Sequence, residues 1–454
     1  MKFIYRIHQK STVILLATSL VLLSTGCGPG NVATPALPSA TIVESIPPTG
    51  VSPTNTTLLT PTPVPTSTHI PTLTSIPTDT PTPFVPKATI HIALQSPLSG
   101  GYVDIGMNIL HSAELATQQL ARPLMELEYA IELVPFDDMM DVGTAIDNAQ
   151  QIVADPEVLC VVGPFTSNIL NQVKEIYHQA GLALISPSAT AAYATTSGYL
   201  EVNRVLGRHD GQGIAGAQFA KEQGFTSVFV ISQSNDYGQF NAYHFENEAT
   251  RLGLSVVGNV TTDDTEDFDQ QITSLIDSGA EIVFFSSMNI DQVGTFFRQA
   301  RAAGYKGTFL GIEGIDTPVL LDKAGPLAVE DGGLYFTSIT PPAIYYPVAA
   351  QFVEDFKQAW GVEPQKFAAQ AYDAAGICLK AIEVAAQEGE LPTRNEVANA
   401  IRSLQDYRGI TGTFNFNQFG DPDPAQYFIF QVISPDPNDW SLNALVFTIE
   451  VTPP

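Results

Sequence analysis

SVFVISQSNDYG, residues 227–238, decides how the chain is read: a short β-branched run ends in Ser, Asn and Asp and opens a segment of helical length. A strand-turn-helix unit of this kind implies a parallel sheet only if it recurs. It does recur. Further apolar runs at 254–258, 282–286 and 308–311 alternate with amphipathic segments such as 267–278. An earlier series precedes it, with strand-like runs at 89–94, 129–134, 158–162 and 183–186. Two successive series predict an α/β chain of two doubly wound, Rossmann-like lobes, each a parallel sheet with helices on both faces. In such sheets ligands sit beyond the carboxyl ends of the strands, so two facing lobes would enclose a cleft.

This body begins near residue 87 and runs to 454, the length of two domains rather than one. The chain before it has another character. Lys2, Arg6 and Lys10 precede a mostly apolar run at 11–23, of signal-peptide length and too short for a permanent membrane span. Residues 1–26 therefore read as an export signal, ending at Ser24-Thr25-Gly26-Cys27. Residues 27–86 are rich in Pro, Thr and Ser, as in PTPVPTST, and lack the apolar surface needed to fold. They read as a disordered spacer, which as polyproline II at about 3.1 Å per residue reaches on the order of 100–180 Å.

The formal charge of −27, from 47 acids against 20 bases, falls almost entirely on the body. Such a surface repels phosphate backbones, so nucleic acid is not an expected partner. Hydrolytic and metal chemistry lack their usual signatures: there is no GxSxG, HExxH or CxxC, and His91, His111, His178, His209 and His244 are scattered without ligand spacing. Asp137-Asp138 and Asp263-Asp264 read as helix caps or solvated pairs. A protein without enzymatic activity, metal or cofactor is expected. Cys160 lies in an apolar run, and Cys378 lies on a helical stripe with Ala371, Ala374, Ala375 and Ile382. Both read as small buried residues, with a disulfide between them left open in an oxidising compartment. One enzymatic alternative exists, because Gly211-Gln212-Gly213-Ile214-Ala215-Gly216 fits GxGxxG, with Asp236 further on, as in dinucleotide-binding oxidoreductases. That fingerprint needs its glycines directly after a strand, and here Arg208-His209-Asp210 intervene.

Polar residues gather after the strand-like runs. Gly163-Pro164-Phe165-Thr166-Ser167-Asn168 and Ser186-Pro187-Ser188-Ala189-Thr190 offer hydroxyls and free backbone N–H groups near helix starts, suited to a carboxylate, or simply to helix capping. In the second series Tyr237 supplies an aromatic wall with a hydroxyl. Glu313, within Gly311-Ile312-Glu313-Gly314, supplies a negative charge suited to an ammonium group, a solvated surface glutamate being the alternative.

With Ser96-Pro97-Leu98-Ser99-Gly100, the EDFDQQI segment from 266, AYDAAG at 371–376 and FNFNQFGD at 414–421, these stretches resemble the periplasmic binding proteins of branched-chain amino acid ABC transporters. The resemblance covers the whole body and implies a type I periplasmic-binding fold with three hinge crossings, near 207–210, 335–338 and 412–417. Lobe I would be 87–208 plus 337–415, and lobe II 209–336 plus 416–454, with the last strand at about 427–433 returning to lobe II. It further implies that Ser167 and Thr190 hold the ligand carboxylate, that Ser188 offers its carbonyl and Glu313 its charge to the ammonium, and that Tyr237 closes from the opposite lobe. Where relatives usually carry aromatic residues, this chain has Ile105, Met288 and Ala369. A cysteine pair found in some relatives is replaced by Met139 or Met140 and Thr166.

The function implied is capture of a branched-chain or other apolar amino acid by a monomer that delivers it to an ABC permease and its ATPase. The STGC segment is similar to a lipoprotein lipobox, apart from Ser24 where a branched apolar residue is usual. Cys27 would then carry a lipid anchor to the outer face of the cell membrane, whereas ordinary cleavage nearby would equally give export. A ligand sensor or an envelope interaction module on the same fold is the alternative function.

Overall fold

The computed structural model describes residues 85–386 and 390–454, so the leader, Cys27 and the spacer up to residue 84 lie outside the described residues. The first series folds into β1 (Ala88–Ser96), β2 (Tyr129–Asp137), β3 (Val158–Val162), β4 (Ala183–Ser186) and β5 (Val202–Arg204). They form one wholly parallel sheet in the order β2-β1-β3-β4-β5. Helices α1 (Val103–Leu120), α2 (Arg122–Glu126), α3 (Val142–Ala154) and α4 (Ser167–Gln179) connect these strands. Every residue of β3 is buried, as expected of a continuous apolar run covered on both faces.

The second series repeats the pattern. Helix α5 (Gly211–Glu222) leads into β6 (Ser227–Ser232), α6 (Asp236–Arg251), β7 (Ser255–Thr261), α7 (Asp269–Ser278) and β8 (Ile282–Ser286). Then follow α8 (Ile290–Ala302), β9 (Thr308–Gly311), α9 (Val319–Ala324) and β10 (Leu334–Ser338). Central β8 is buried throughout, whereas edge strand β7 alternates between exposed and half-buried residues. The chain returns to lobe I with α10 (Ala350–Trp360), α11 (Ala368–Ala385), α12 (Arg394–Ser403) and the short ribbon β11 (Tyr407–Arg408) and β12 (Thr413–Phe414). It ends in lobe II with β13 (Ala425–Val432) and β14 (Ala444–Val451).

The second sheet runs β14-β13-β10-β9-β8-β6-β7. Two expectations are corrected here. The sheet is mixed, because β13 and β14 enter antiparallel at the edge beside β10. The strand near 427–433 is not the last, because β14 pairs outside it. The rest of the sheet shares lobe I's topology, in which the strand order reverses between the first and third strands, the usual ligand position in such sheets.

The chain passes between the sheets three times: after β5, after β10 and after β12. The first and third passages are locked by a fully buried ion pair, Arg204 Nε to Asp421 Oδ1 at 2.7 Å. Cys160 of β3 and Cys378 of α11 form a disulfide spanning 218 residues, which staples the returning helix to the lobe I sheet. Closing a loop that long stabilises the fold by about 5 kcal/mol on the chain-entropy account.

The GxGxxG stretch becomes the first turns of α5, and its glycines serve packing. A Cβ on Gly213 would lie 2.1 Å from the Asn241 carbonyl of α6, and one on Gly211 would lie 2.1 Å from the Tyr427 hydroxyl. Among the described residues no helix is long and apolar enough to cross a membrane.

Candidate functional site

On lobe I the loop after β3 ends in Thr166, whose hydroxyl caps α4 by accepting from the Ile169 N–H at 3.3 Å. Capping therefore falls to Thr166 and leaves Ser167, one residue on, for other contacts. Ser167 Oγ accepts from the Ala191 N–H at 3.1 Å and keeps its own hydrogen available. In the loop after β4, Ser186 Oγ accepts from the N–H groups of Ser188 at 3.4 Å and Ala189 at 3.0 Å. Of the backbone N–H groups at these loops, those of 188, 189 and 191 are taken by neighbouring hydroxyls. For an anion the loops also offer the hydroxyls of Ser167 and Thr190, the latter without a hydrogen-bond partner among the described residues.

The Thr190 loop is held from beneath. Arg204 donates from Nη1 to the carbonyls of Ala189 at 2.8 Å and Ala191 at 3.0 Å. Ser188 turns its hydroxyl inward to the Phe165 carbonyl at 2.5 Å. The Thr190 carbonyl accepts both from the backbone N–H of His209 at 2.9 Å and from its ring Nδ1 at 3.1 Å, which requires the proton on Nδ1. Burial lowers the pKa of His209, so its ring is neutral at pH 7.

That ring carries the site into lobe II. Tyr237, in the first turn of α6, stacks on His209 with centroids 4.9 Å apart and planes at 17°. Gln212 ties Tyr237 to Glu313. Its Nε2 donates to the Tyr237 hydroxyl at 3.1 Å and to the His209 carbonyl at 3.2 Å. Its Oε1 accepts from the Glu313 N–H at 2.9 Å and from the Thr337 hydroxyl at 2.7 Å. All four sites of this buried amide are filled, so it fixes both residues in place. Burial, with the Glu313 charge added, pushes the Tyr237 phenol pKa well up and keeps it a neutral donor.

Glu313 opens a short 3-10 turn after β9, and its carboxylate forms an ion pair with Lys366 of lobe I. Burial alone would lower the Lys366 pKa, but the charge and hydrogen bond of Glu313 outweigh it, and the ammonium stands above its ordinary value. Asp316, on the same turn, instead accepts from Trp440 Nε1 at 3.0 Å. It lines an apolar cavity of about 460 Å³ with Phe336, Tyr345, Phe430 and Trp440, and burial raises its pKa.

Ser167, Thr190, Tyr237 and Glu313 thus belong to one run of contacts across the lobes. Met288 stands beside the Glu313 turn, since a Cβ on Gly314 would lie 2.8 Å from its Cα, and its side chain is exposed. Ile105 lies in the first turn of α1 and packs half-buried on the hydrophobic core, and Ala369 is buried in α11. The lobe I wall is aromatic: Phe165 meets Phe367 edge-on at 5.7 Å and Tyr102 at 6.3 Å. Lys366, His209, Gln212 and Phe367 are the residues that sequence reasoning missed. The signal for Lys366 was its isolation in QKFAAQAYDAAG, a lone base in a strongly acidic body. Away from the cleft, folding brings His91, Asp155 and Glu157 together although their spacing had not suggested it, with His91 Nδ1 at 2.8 Å from Asp155.

The chain has relatives among known proteins. The family model for periplasmic binding protein matches residues 89–435. A leucine-, isoleucine-, valine-, threonine- and alanine-binding protein of Pseudomonas aeruginosa is 27% identical over 346 residues, covering 76% of this chain and 90% of its own. A Leu/Ile/Val-binding protein homolog of Brucella abortus is 28% identical over 348 residues, with the same coverage. Among solved structures, a leucine binding protein of Thermotoga maritima is similar at 27% identity and a TM-score of 0.59, covering 79% of this chain and 98% of its own. A substrate-binding protein of Desulfitobacterium hafniense in complex with Leu, at 22% identity and a TM-score of 0.63, shares the fold; it covers 79% of this chain and 100% of its own.

Proposed function

The chain belongs to the periplasmic binding protein family, and from that premise we propose that it is the extracytoplasmic substrate-binding component of an ABC importer, taking an apolar amino acid, branched-chain first, between its lobes. The observation that carries this reading is the continuous run Thr190-His209-Tyr237-Gln212-Glu313, which sets hydroxyl donors of one lobe opposite an acid of the other.

The ligand carboxylate accepts from Ser167 and Thr190, and its ammonium donates to Glu313 and to the Ser188 carbonyl. Tyr237 closes over it, and Phe165 and Phe367 offer apolar surface to its side chain, with Met288 and Ile105 nearer the rim. Closure removes water, so each charge-assisted bond strengthens. Nothing in this scheme breaks a covalent bond, in keeping with a family of binding proteins rather than enzymes. Lobe I comprises 87–208 plus 337–415 and lobe II 209–336 plus 416–454, so the passages between the sheets act as the hinge. Cys27 anchors the monomer to the membrane through a lipid, the 27–86 spacer gives it reach, and the closed form is handed to a permease driven by an ATPase.

A thermal-shift screen of the exported body against the amino acids tests this. A ligand present at about 100 times its Kd adds roughly 2.7 kcal/mol of stability, and leucine, isoleucine and valine are expected to raise Tm. Absence of a shift with every amino acid contradicts the reading.

A further inference from the structure

Lys366 is the group in the cleft for which capture of an amino acid has no use. Its Nζ already sits on the Glu313 carboxylate, where the ammonium of an amino acid should bind. We propose that Lys366 is a resident ammonium, and that the cleft therefore takes apolar 2-oxo carboxylates on terms at least as good as the matching amino acids. This rests on the cleft being the ligand site proposed above.

The pair is buried on one side only. The Glu313 side chain is 15% exposed and that of Lys366 37%, so water screens the lysine end while the carboxylate is largely withdrawn from it. The lysine is held by its surroundings. Phe367 takes the left-handed conformation at φ 70°, costly for a bulky residue, where the chain turns from Lys366 into α11. Its ring packs on Phe165, and the Lys366 Nζ lies 5.5 Å from the Phe367 centroid. The other carboxylate that influences Lys366, Asp316, is turned to Trp440 and offers no second anchor facing the ligand.

Charge balance decides between guests. An incoming α-ammonium must evict Lys366 or crowd a second cation onto one acid, and parting the largely buried Glu313 carboxylate from its hydrogen-bonded partner is costly. A 2-oxo acid makes neither demand. It brings the same carboxylate to Ser167 and Thr190 and the same apolar side chain. Where the ammonium would be, it presents a carbonyl oxygen, which accepts from the Lys366 Nζ while Glu313 stays neutralised.

Calorimetric titration of L-leucine and 4-methyl-2-oxopentanoate into the wild-type body, K366M and K366R tests the proposal. Wild type is expected to bind the oxo acid as tightly as leucine or more tightly. K366M, with Glu313 left unpaired, is expected to gain ~tenfold for leucine and lose ~tenfold for the oxo acid, and K366R to keep the wild-type order. A ratio of the two Kd values that stays the same in K366M overturns the proposal. So does a wild type that favours leucine by ~tenfold or more, a result that leaves the amino-acid site intact. If neither compound nor any amino acid binds wild type, both readings fall together.

Discussion

On lobe I the cleft presents uncharged groups, the hydroxyls of Ser167 and Thr190, in loops where Ser186 and Ser167 accept from the N–H groups of 188, 189 and 191. On lobe II it presents a carboxylate, Glu313, whose charge is met by a lysine reaching over from lobe I. The difference follows from solvation. A hydroxyl leaves water at a cost of about 1–3 kcal/mol, whereas an unpaired ionised group costs far more and must find a partner or give up its charge. The uncharged half can therefore wait for its ligand unaided, and the charged half cannot. Lobe I also shows the other outcome. Asp138, at the end of β2, is buried with Oδ2 unpartnered. Burial, opposed by a bond from the Met140 N–H and reinforced by Asp137, pushes its pKa up to about 6.

The largest expected effect separates the lobes by their bracing. Lobe I holds the Cys160–Cys378 staple, and no disulfide lies within lobe II among the described residues. Replacing both cysteines by alanine should cost ~2–5 kcal/mol, read as a lower denaturant midpoint. Hydrogen exchange should quicken in β3 and α11 and stay unchanged in β6 and β8; equal loss in both lobes would break the contrast.

Next is the contrast between a carboxylate that is paired and one that is not. The folded pKa of Asp138 lies above the unfolded value, so the folded state binds its proton more tightly. The stability this contributes is fully present below about pH 4 and is lost as pH rises through about 6, up to ~3 kcal/mol for about two units. Asp138→Asn should remove that slope, seen as a Tm difference from wild type that grows in the variant's favour from pH 4 to 7. An identical pH profile would contradict it.

A smaller effect tests how lobe II aims its acid. Gln212→Leu leaves the Glu313 N–H and the Thr337 hydroxyl without their acceptor. Affinity for leucine should fall by ~1–2 kcal/mol, since the Tyr237 hydroxyl loses its donor too. Unchanged affinity would mean that Gln212 serves packing alone.

Much of the fold could be read from sequence because it rests on runs buried on both faces. β3, β8 and β9 carry such runs, and their order follows from alternation with helices. β14 was missed although ALVFTIEV is strand-like, because it pairs antiparallel after a long loop and no alternation announces it. In the site, Tyr237 and Glu313 were legible as polar residues at the carboxyl ends of strands. Gln212 was hidden inside a glycine motif that serves helix packing. Lys366 was hidden because its partner lies 53 residues away in the other lobe, a separation that only the folded chain spans.

The central claim is that an acid of lobe II and hydroxyls of lobe I grip one ligand. Calorimetric titration of L-leucine into wild type and Glu313→Gln tests it most directly. The variant should bind at least ~tenfold more weakly, a loss of about 1.4 kcal/mol, because the ligand's ammonium loses its charged partner. Equal affinity in the two proteins would contradict it.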